Sequence, residues 1–380
     1  MGTRSFPTRA EDLTNDWLTE ILHKNNIPSE VSVTGFSISP VSAPGQTSNV
    51  IRVGLEYNQQ SLNAPSTLIG KFPATFEPAR QMAVSLDTYL REVNFFKFIA
   101  PSAKEIAPYC YAAEIDMDTH DFVLLIEDLE GLRMGELFVS SPEDSLLMLE
   151  KIAPFHAYWW DHPGLSDFDW IHKPGKESFK VWMDQLKTFF AAILPMVKQQ
   201  YEKYMSDKAW GVLEKWLNVW DELFAFTPGP YTICHGDYHY LQGFFPAKGN
   251  ERFAAIDWQV LCVNSSAMDV ARLLLIKPED RLAHEKSIVD RYYNLLLKSG
   301  VKDYSLDQLW EDIRLNALWT AYIYILAIAQ TDNEIFKAYA EEKGVDPYEI
   351  ALGWVGSGLE DWDVNGAMDR YLQRARESKI

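Results

Sequence analysis

The 380-residue chain reads as an α+β protein, with a β-rich N-terminal part and a larger, mostly helical C-terminal part. Three observations predict this. β-Branched alternation dominates the front of the chain, aromatic-rich sequence of helical spacing fills it beyond Gly131, and one short β island near 231–256 interrupts those helices.

Residues 11–27 open the chain as a helix, with Leu13, Trp17, Ile21 and Leu22 at three- and four-residue spacing before the Asn25-Asn26-Ile27-Pro28 break. Between 31 and 57, the alternations Val31-Ser32-Val33 and Val50-Ile51-Arg52-Val53 flank a turn-rich stretch at 42–49 and predict a hairpin. Thr67-Leu68-Ile69-Gly70-Lys71-Phe72-Pro73 reads as a strand stopped by proline, and a helix follows from about Gln81 to Ile99. Phe122-Val123-Leu124-Leu125-Ile126 is an apolar run of strand length that leads into Glu127-Asp128-Leu129 and Gly131, where a hinge is expected. Beyond it, 146–160, 179–197 and 201–226 read as helices, short strands are expected at 231–234, 243–245 and 253–256, and helices resume near Ser266. No repeat, low-complexity segment or long linker separates the parts. The chain is therefore divided as 1–127, a hinge at 128–131 and 132–380, the two parts being expected to pack as lobes around one cleft.

Composition narrows the chemistry. Against 35 basic side chains stand 54 acidic ones, a net charge of −19 that repels phosphate backbones and anionic lipid heads, so neither nucleic acid nor a membrane is an expected partner. An anionic ligand such as a nucleotide then requires a locally cationic or metal-filled site. Cys110, Cys234 and Cys262 have neither CxxC spacing nor a paired His/Cys run, which argues against a zinc site or a disulfide framework. The first residues show no apolar leader. The longest apolar run, 317–329, is about two-thirds of a bilayer span and carries Trp319, Thr320, Tyr322 and Tyr324, so a buried helix and a cytoplasmic location are expected.

The most informative stretch is His235-Gly236-Asp237-Tyr238-His239-Tyr240-Leu241-Gln242, followed by Ile256-Asp257-Trp258-Gln259. Asp237 sits in a loop after an apolar strand, and Asp257 ends the strand that returns past it. Two carboxylates at the mouth of one small sheet can hold a divalent cation or position a hydroxyl. Either acid alone is also what a turn or helix cap uses; the pair beside His235-Gly236 is what singles them out. Upstream, Met82, Leu86, Tyr89, Leu90, Val93 and Phe96 form the apolar stripe of the 81–99 helix and place Glu92 on its inward face. A buried carboxylate needs a cation, and Lys71, near the end of an apolar strand, is the candidate.

This spaced set resembles the aminoglycoside phosphotransferase, choline kinase and ecdysteroid-kinase-like group of small-molecule kinases. Their catalytic loop reads HGDxHxxN, and a metal-binding Asp follows in an (I/V)D(F/W) context. His235-Gly236-Asp237-Tyr238-His239 and Ile256-Asp257-Trp258 match, as does Asp269-Val270-Ala271 with the DxA segment beyond, and the likeness runs from about Val33 to Leu274. The resemblance implies a protein-kinase-like two-lobe fold and an enzyme that moves the γ-phosphate of ATP, with Mg2+, to a hydroxyl of a small acceptor. It implies that Asp237 orients the hydroxyl and accepts its proton, that Asp257 binds the metal, and that Lys71, held by Glu92, reaches the nucleotide phosphates. It further implies that Pro44-Gly45-Gln46-Thr47-Ser48-Asn49 covers the nucleotide, Thr47 or Ser48 approaching a phosphate, and that the backbone of Glu127-Asp128-Leu129 meets an adenine edge. His156 resembles a structural residue packed beneath the catalytic loop.

There is one departure. Family members carry Asn where this chain has Gln242, and Asn there gives its carbonyl oxygen to magnesium. Gln242 keeps the amide on a longer stem, and octahedral magnesium tolerates little misplacement. The alternative reading is therefore a weakened pseudokinase or nucleotide-binding module. A carboxylate hydrolase using Asp237 and Asp257 alone leaves Lys71 and Glu92 unexplained. Antibiotic, amino alcohol, sugar, steroid and polyketide-like hydroxyls all stand as acceptors.

Overall fold

A computed structural model describes residues 6–41, 47–136, 140–225, 229–330 and 333–378. The chain packs as two units, 1–133 with 244–260, and 134–243 with 261–380. Residues 244–260, which a single cut at 128–131 leaves in the C-terminal part, therefore belong with the first unit.

In the first unit a short turn at Ala10–Asp12 precedes helix α1 (Asn15–Lys24), so the single opening helix expected over 11–27 is divided. Thr14 sets the start, its hydroxyl accepting the Trp17 N–H at 3.2 Å. Strands β1 (Val33–Pro40), β2 (Ser48–Tyr57), β3 (Thr67–Pro73), β4 (Cys110–Ile115) and β5 (Phe122–Glu127) form an antiparallel sheet in the order β1-β2-β3-β5-β4. Side chains alternate along each strand. Leu68 and Phe72 of β3 join Ile51, Val53, Val123 and Leu125 in a core shared with Leu18, Ile21 and Leu22 of α1. Lys71, one position out of phase, points to the opposite face.

That face meets a helix that is broken rather than continuous. α2 (Glu77–Ser85) stops at Leu86-Asp87, and α3 (Thr88–Asn94) restarts and runs on through a wider turn at Phe95–Ile99. Asp87 adopts a left-handed φ of 54°, a conformation that short polar side chains tolerate better than most. The carbonyls freed at the break are satisfied by the Thr88 hydroxyl, 3.1 Å from Ala83 O, and by Arg91 Nη2, 2.6 Å from Leu86 O. The restart leaves Leu86 and Leu90 half-buried and buries Tyr89, Glu92 and Val93.

After the two-residue strand β6 (Arg133–Met134), the second unit is mostly helical: α4 (Pro142–Tyr158), α5 (Glu177–Tyr201), α6 (Asp207–Ala225), α7 (Ala267–Leu274), α8 (Pro278–Lys298), α9 (Leu306–Gln330), α10 (Asn333–Lys343), α11 (Val355–Asp361) and α12 (Val364–Glu377). Rings of Phe190, Trp216, Trp220 and Tyr322 pack α5, α6 and α9 together. The expected β island is not one sheet. Strand β7 (Thr232–Cys234) pairs with β10 (Cys262–Asn264), whereas β8 (Gly243–Phe245) pairs with β9 (Ala254–Ala255). Among the described residues no helix is long and apolar enough to cross a membrane.

Candidate functional site

In the first unit, β3 carries Lys71 opposite Leu124 of β5 and α3 carries Glu92 toward it. Lys71 Nζ donates to both Glu92 carboxylate oxygens, at 2.6 and 2.7 Å, and lies 3.3 Å from Asp257 Oδ1. The amine and the glutamate are 9% and 4% exposed, so each charge depends on the other. Burial disfavours the Lys71 charge, but Glu92 and Asp257 together hold its pKa above that of an ordinary lysine. Burial pushes the Glu92 carboxyl up, with Lys71 pulling the other way.

Asp257 follows β9 with a left-handed φ of 66°, rare for a residue with a side chain. The next residue secures the turn. Trp258 Nε1 donates to Ala255 O at 3.0 Å, and its ring stacks on Phe95, with centroids 4.1 Å apart and planes 7° from parallel. Phe95 begins the turn after α3, so the stack ties the Glu92 helix to the Asp257 turn. Gln259 adds a second tie, donating through Nε2 to Asp257 Oδ2 at 3.3 Å and accepting the Thr47 hydroxyl at 3.0 Å. Tyr89 also reaches Thr47, its hydroxyl donating to the Thr47 carbonyl at 2.5 Å. Gln259 was not singled out from sequence, because a glutamine after Asp-Trp carries no periodic or charge signal. Ser48 opens β2 opposite Pro73, while Pro44, Gly45 and Gln46 lie outside the described residues.

At the expected hinge the side chains serve this unit's own structure. Glu127 accepts the Tyr109 N–H at 2.6 Å and pairs with Arg252, and Asp128 accepts Arg52 Nε at 2.6 Å and Nη2 at 3.2 Å. Leu129 is buried, and its carbonyl accepts the Leu132 N–H at 3.2 Å.

In the second unit, β7 delivers His235, Gly236 and Asp237. Gly236 has φ 87°, which glycine alone adopts freely. Asp269 of α7 fixes the loop by accepting the N–H groups of His235 at 2.8 Å and Gly236 at 3.0 Å. His156 Nε2 lies 3.2 Å from Asp269, and its Nδ1 is 2.7 Å from the Tyr292 hydroxyl. Cys234 Sγ approaches the same group of side chains but donates to Ser265 O at 3.2 Å, and burial raises its thiol pKa well above normal. His156, Cys234 and Asp269 thus lie together against the loop at 235–237.

The Asp237 carboxylate receives Arg272 Nε at 3.1 Å on one oxygen and lies 3.3 Å from His239 Nε2 on the other. Burial alone pushes its pKa up, yet His239 and Arg272 hold it well below the usual carboxylate range. Arg272 stands three residues after Asp269 on α7 and also sits 4.3 Å above the Tyr324 ring. Arg272 lies one residue beyond the Asp269-Val270-Ala271 match, and helical i, i+3 spacing marks it as a neighbour of Asp269. Gln242 lies in a short turn (Tyr240–Gln242), its Nε2 3.4 Å from His239 Nε2. Beside this group is a cavity of about 30 Å³ lined by His239, Arg272, Tyr324, Trp354 and Glu136. Asp237 and Asp257, expected at the mouth of one sheet, do not share one: Asp237 follows the β7–β10 pair and Asp257 the β8–β9 pair.

The family model described as ecdysteroid kinase-like matches residues 45–302. No curated protein matches the chain in sequence. Among solved structures, the chain is similar to a choline kinase from Cryptosporidium parvum at 10% identity, with 96% of each chain covered and a TM-score of 0.47. A crystal structure described as a putative aminoglycoside phosphotransferase from Ralstonia eutropha is similar at 14% identity, covering 90% of this chain and 98% of that one with a TM-score of 0.47. A macrolide 2'-phosphotransferase from Brachybacterium faecium is similar at 12% identity, with 91% and 97% covered and a TM-score of 0.44. The matched segment spans more than half of the sequence and encloses Lys71, Glu92, Asp237 and Asp257, and the chain belongs to the ecdysteroid kinase-like family.

Proposed function

We propose that this chain is an ATP-dependent phosphotransferase that moves the γ-phosphate to a hydroxyl of a small molecule. Membership of a kinase-like family supports phosphotransferase activity in general terms. The observation that carries the finer reading is the buried Lys71, held charged between Glu92 and Asp257 inside a strongly acidic protein.

Lys71 offers its charge to the α- and β-phosphates, and Glu92 keeps it extended across the sheet face. Thr47 and Ser48 present hydroxyls at the start of β2, and the backbone of Glu127 and Leu129 is assigned to the adenine edge. Asp257 and Gln242 carry hard oxygen donors, the chemistry magnesium prefers, and the Asp257 side chain is 27% exposed, open enough to ligate. Magnesium held by either residue would neutralise charge that develops on the phosphates. Asp237 stays ionised through Arg272 and His239, so it accepts the hydrogen bond of an acceptor hydroxyl and aims its oxygen. A carboxylate this acidic is a weak base. Orientation, rather than early proton removal, is its main contribution, which suits a loose, largely dissociative transfer.

The test is ADP release from the purified protein with ATP, magnesium and a panel of hydroxylated metabolites, followed by mass detection of the added phosphate. Turnover with one acceptor class, lost in Asp257→Asn, supports the proposal. Gln242 favours a second reading, a nucleotide-binding module without turnover. Thermal stabilisation by ATP and magnesium with no ADP from any acceptor, and turnover restored by Gln242→Asn, would establish it.

A further inference from the structure

The second unit holds another cavity, of about 140 Å³, at the end of the β7–β10 pair away from the catalytic loop. His235 follows the C-terminal end of β7. The cavity instead meets Pro230 and Tyr231 before that strand, and Asn264 and Ser265 at the matching end of β10, where Asn264 pairs with Thr232. Its floor is α9, from which Asp312, Leu315, Asn316 and Trp319 reach it at the spacing of one helical face. Trp216, Phe224 and Tyr371 supply further rings.

Two polar atoms of residues that line the cavity lack hydrogen-bond partners among the described residues. Asp312 Oδ2 accepts the Tyr304 hydroxyl at 2.7 Å and lies 3.4 Å from the Ser265 hydroxyl, but Oδ1 has no hydrogen bond among the described residues. Trp319 Nε1 is buried, again with no acceptor among the described residues. A buried donor left unmatched is costly, and native structures retain few of them. The two residues are seven apart on α9, about 10 Å along its axis. An apolar cavity of about 150 Å³ holds one benzene ring, and aromatic faces attract cations.

We infer that this cavity binds a small monocyclic amine with an oxygen at the end of the ring opposite its ammonium group. The ammonium donates to Asp312 Oδ1, the oxygen accepts Trp319 Nε1–H, and the ring lies against the aromatic wall. Burial raises the Asp312 carboxyl to about 6, with Glu311 adding to the rise and Arg374 opposing it, so the group is ionised at neutral pH and its charge lacks a full counterion. The site does not depend on the kinase reading.

The experiment is isothermal titration calorimetry of the full chain with tyramine, with phenethylamine as the probe that lacks the hydroxyl. Saturable one-to-one binding is expected, weakened at least about tenfold by Asp312→Asn, since a charge-assisted hydrogen bond is lost. Trp319→Phe, which removes the N–H and some ring area, is expected to weaken tyramine more than phenethylamine. Absence of saturable binding up to millimolar tyramine would overturn the inference. So would unchanged affinity in both variants with native circular dichroism, or displacement of tyramine by ATP with magnesium.

Discussion

At Asp237 two basic side chains act on one carboxylate, and each leaves a measurable trace. Asp237→Asn keeps the shape and removes the charge, so kcat is expected to fall at least about 10²-fold while the unfolding transition persists. Arg272→Gln removes the one of the two basic side chains that stays charged at every working pH. The folded pKa of Asp237 is depressed, so the anion persists well below the ordinary carboxylate range. Without Arg272 that pKa climbs, and the acid limb of kcat/KM against pH is expected to move upward; an unmoved limb would remove Arg272 from this role. Asp312 has the opposite sign. Its carboxyl is raised to about 6, so the folded chain binds the extra proton between about pH 4 and pH 6 and loses stability as pH rises through that window. Asp312→Asn is therefore expected to be more stable than wild type at pH 7.5, by up to about 3 kcal/mol, and not at pH 4, as read by urea unfolding. Lys71, Glu92, Asp237 and Asp257 were legible in the sequence because a charge inside an apolar strand or helix stripe, or in a loop just after an apolar run, stands out from its neighbours. Gln259 and Arg272 were not assigned to the site because Thr47 and Asp237, which they meet there, lie far from them in the chain.

Elements were legible where length let a period accumulate. The β1–β2 hairpin, β3 and β5 stand out from their β-branched and apolar runs. β4 does not: Cys110-Tyr111-Ala112-Ala113-Glu114-Ile115 has one β-branched residue, and a register shift between Cys110 and Ala112 breaks the alternation. The break at Asp87 was equally hidden, since apolar spacing continues through it and the hydrogen bonds that permit it come from Thr88 and Arg91. The three-residue strands β7 and β10 are too short to show any period, so their mutual pairing had to be seen. The Phe95–Trp258 stack is what makes α3 and the Asp257 turn one mechanical piece. Phe95→Ala is expected to cost about 3–5 kcal/mol in urea unfolding and to weaken nucleotide binding as well, because Asp257 loses its support. Loss of stability with unaltered nucleotide affinity would separate the stack from the site.

For the molecule as a whole, under the proposed function, the charge of −19 governs how a nucleotide approaches. Long-range repulsion slows the approach of a polyanion, and salt shortens its reach from about 30 Å to about 10 Å between 0.01 M and 0.1 M ionic strength. The association rate of ATP is therefore expected to rise over that interval in stopped-flow measurements, the reverse of the usual trend for cationic sites. The division of the chain has a different outcome, one that concerns time. The segment 244–260 completes the first unit, yet 110 residues of the second unit precede it. A ribosome adding roughly 5–20 residues per second reaches it on the order of ten seconds after Arg133 has been made. Until then the nascent chain holds Lys71 and Glu92 but not Asp257, Trp258 or Gln259, leaving Phe95 without its stacking partner.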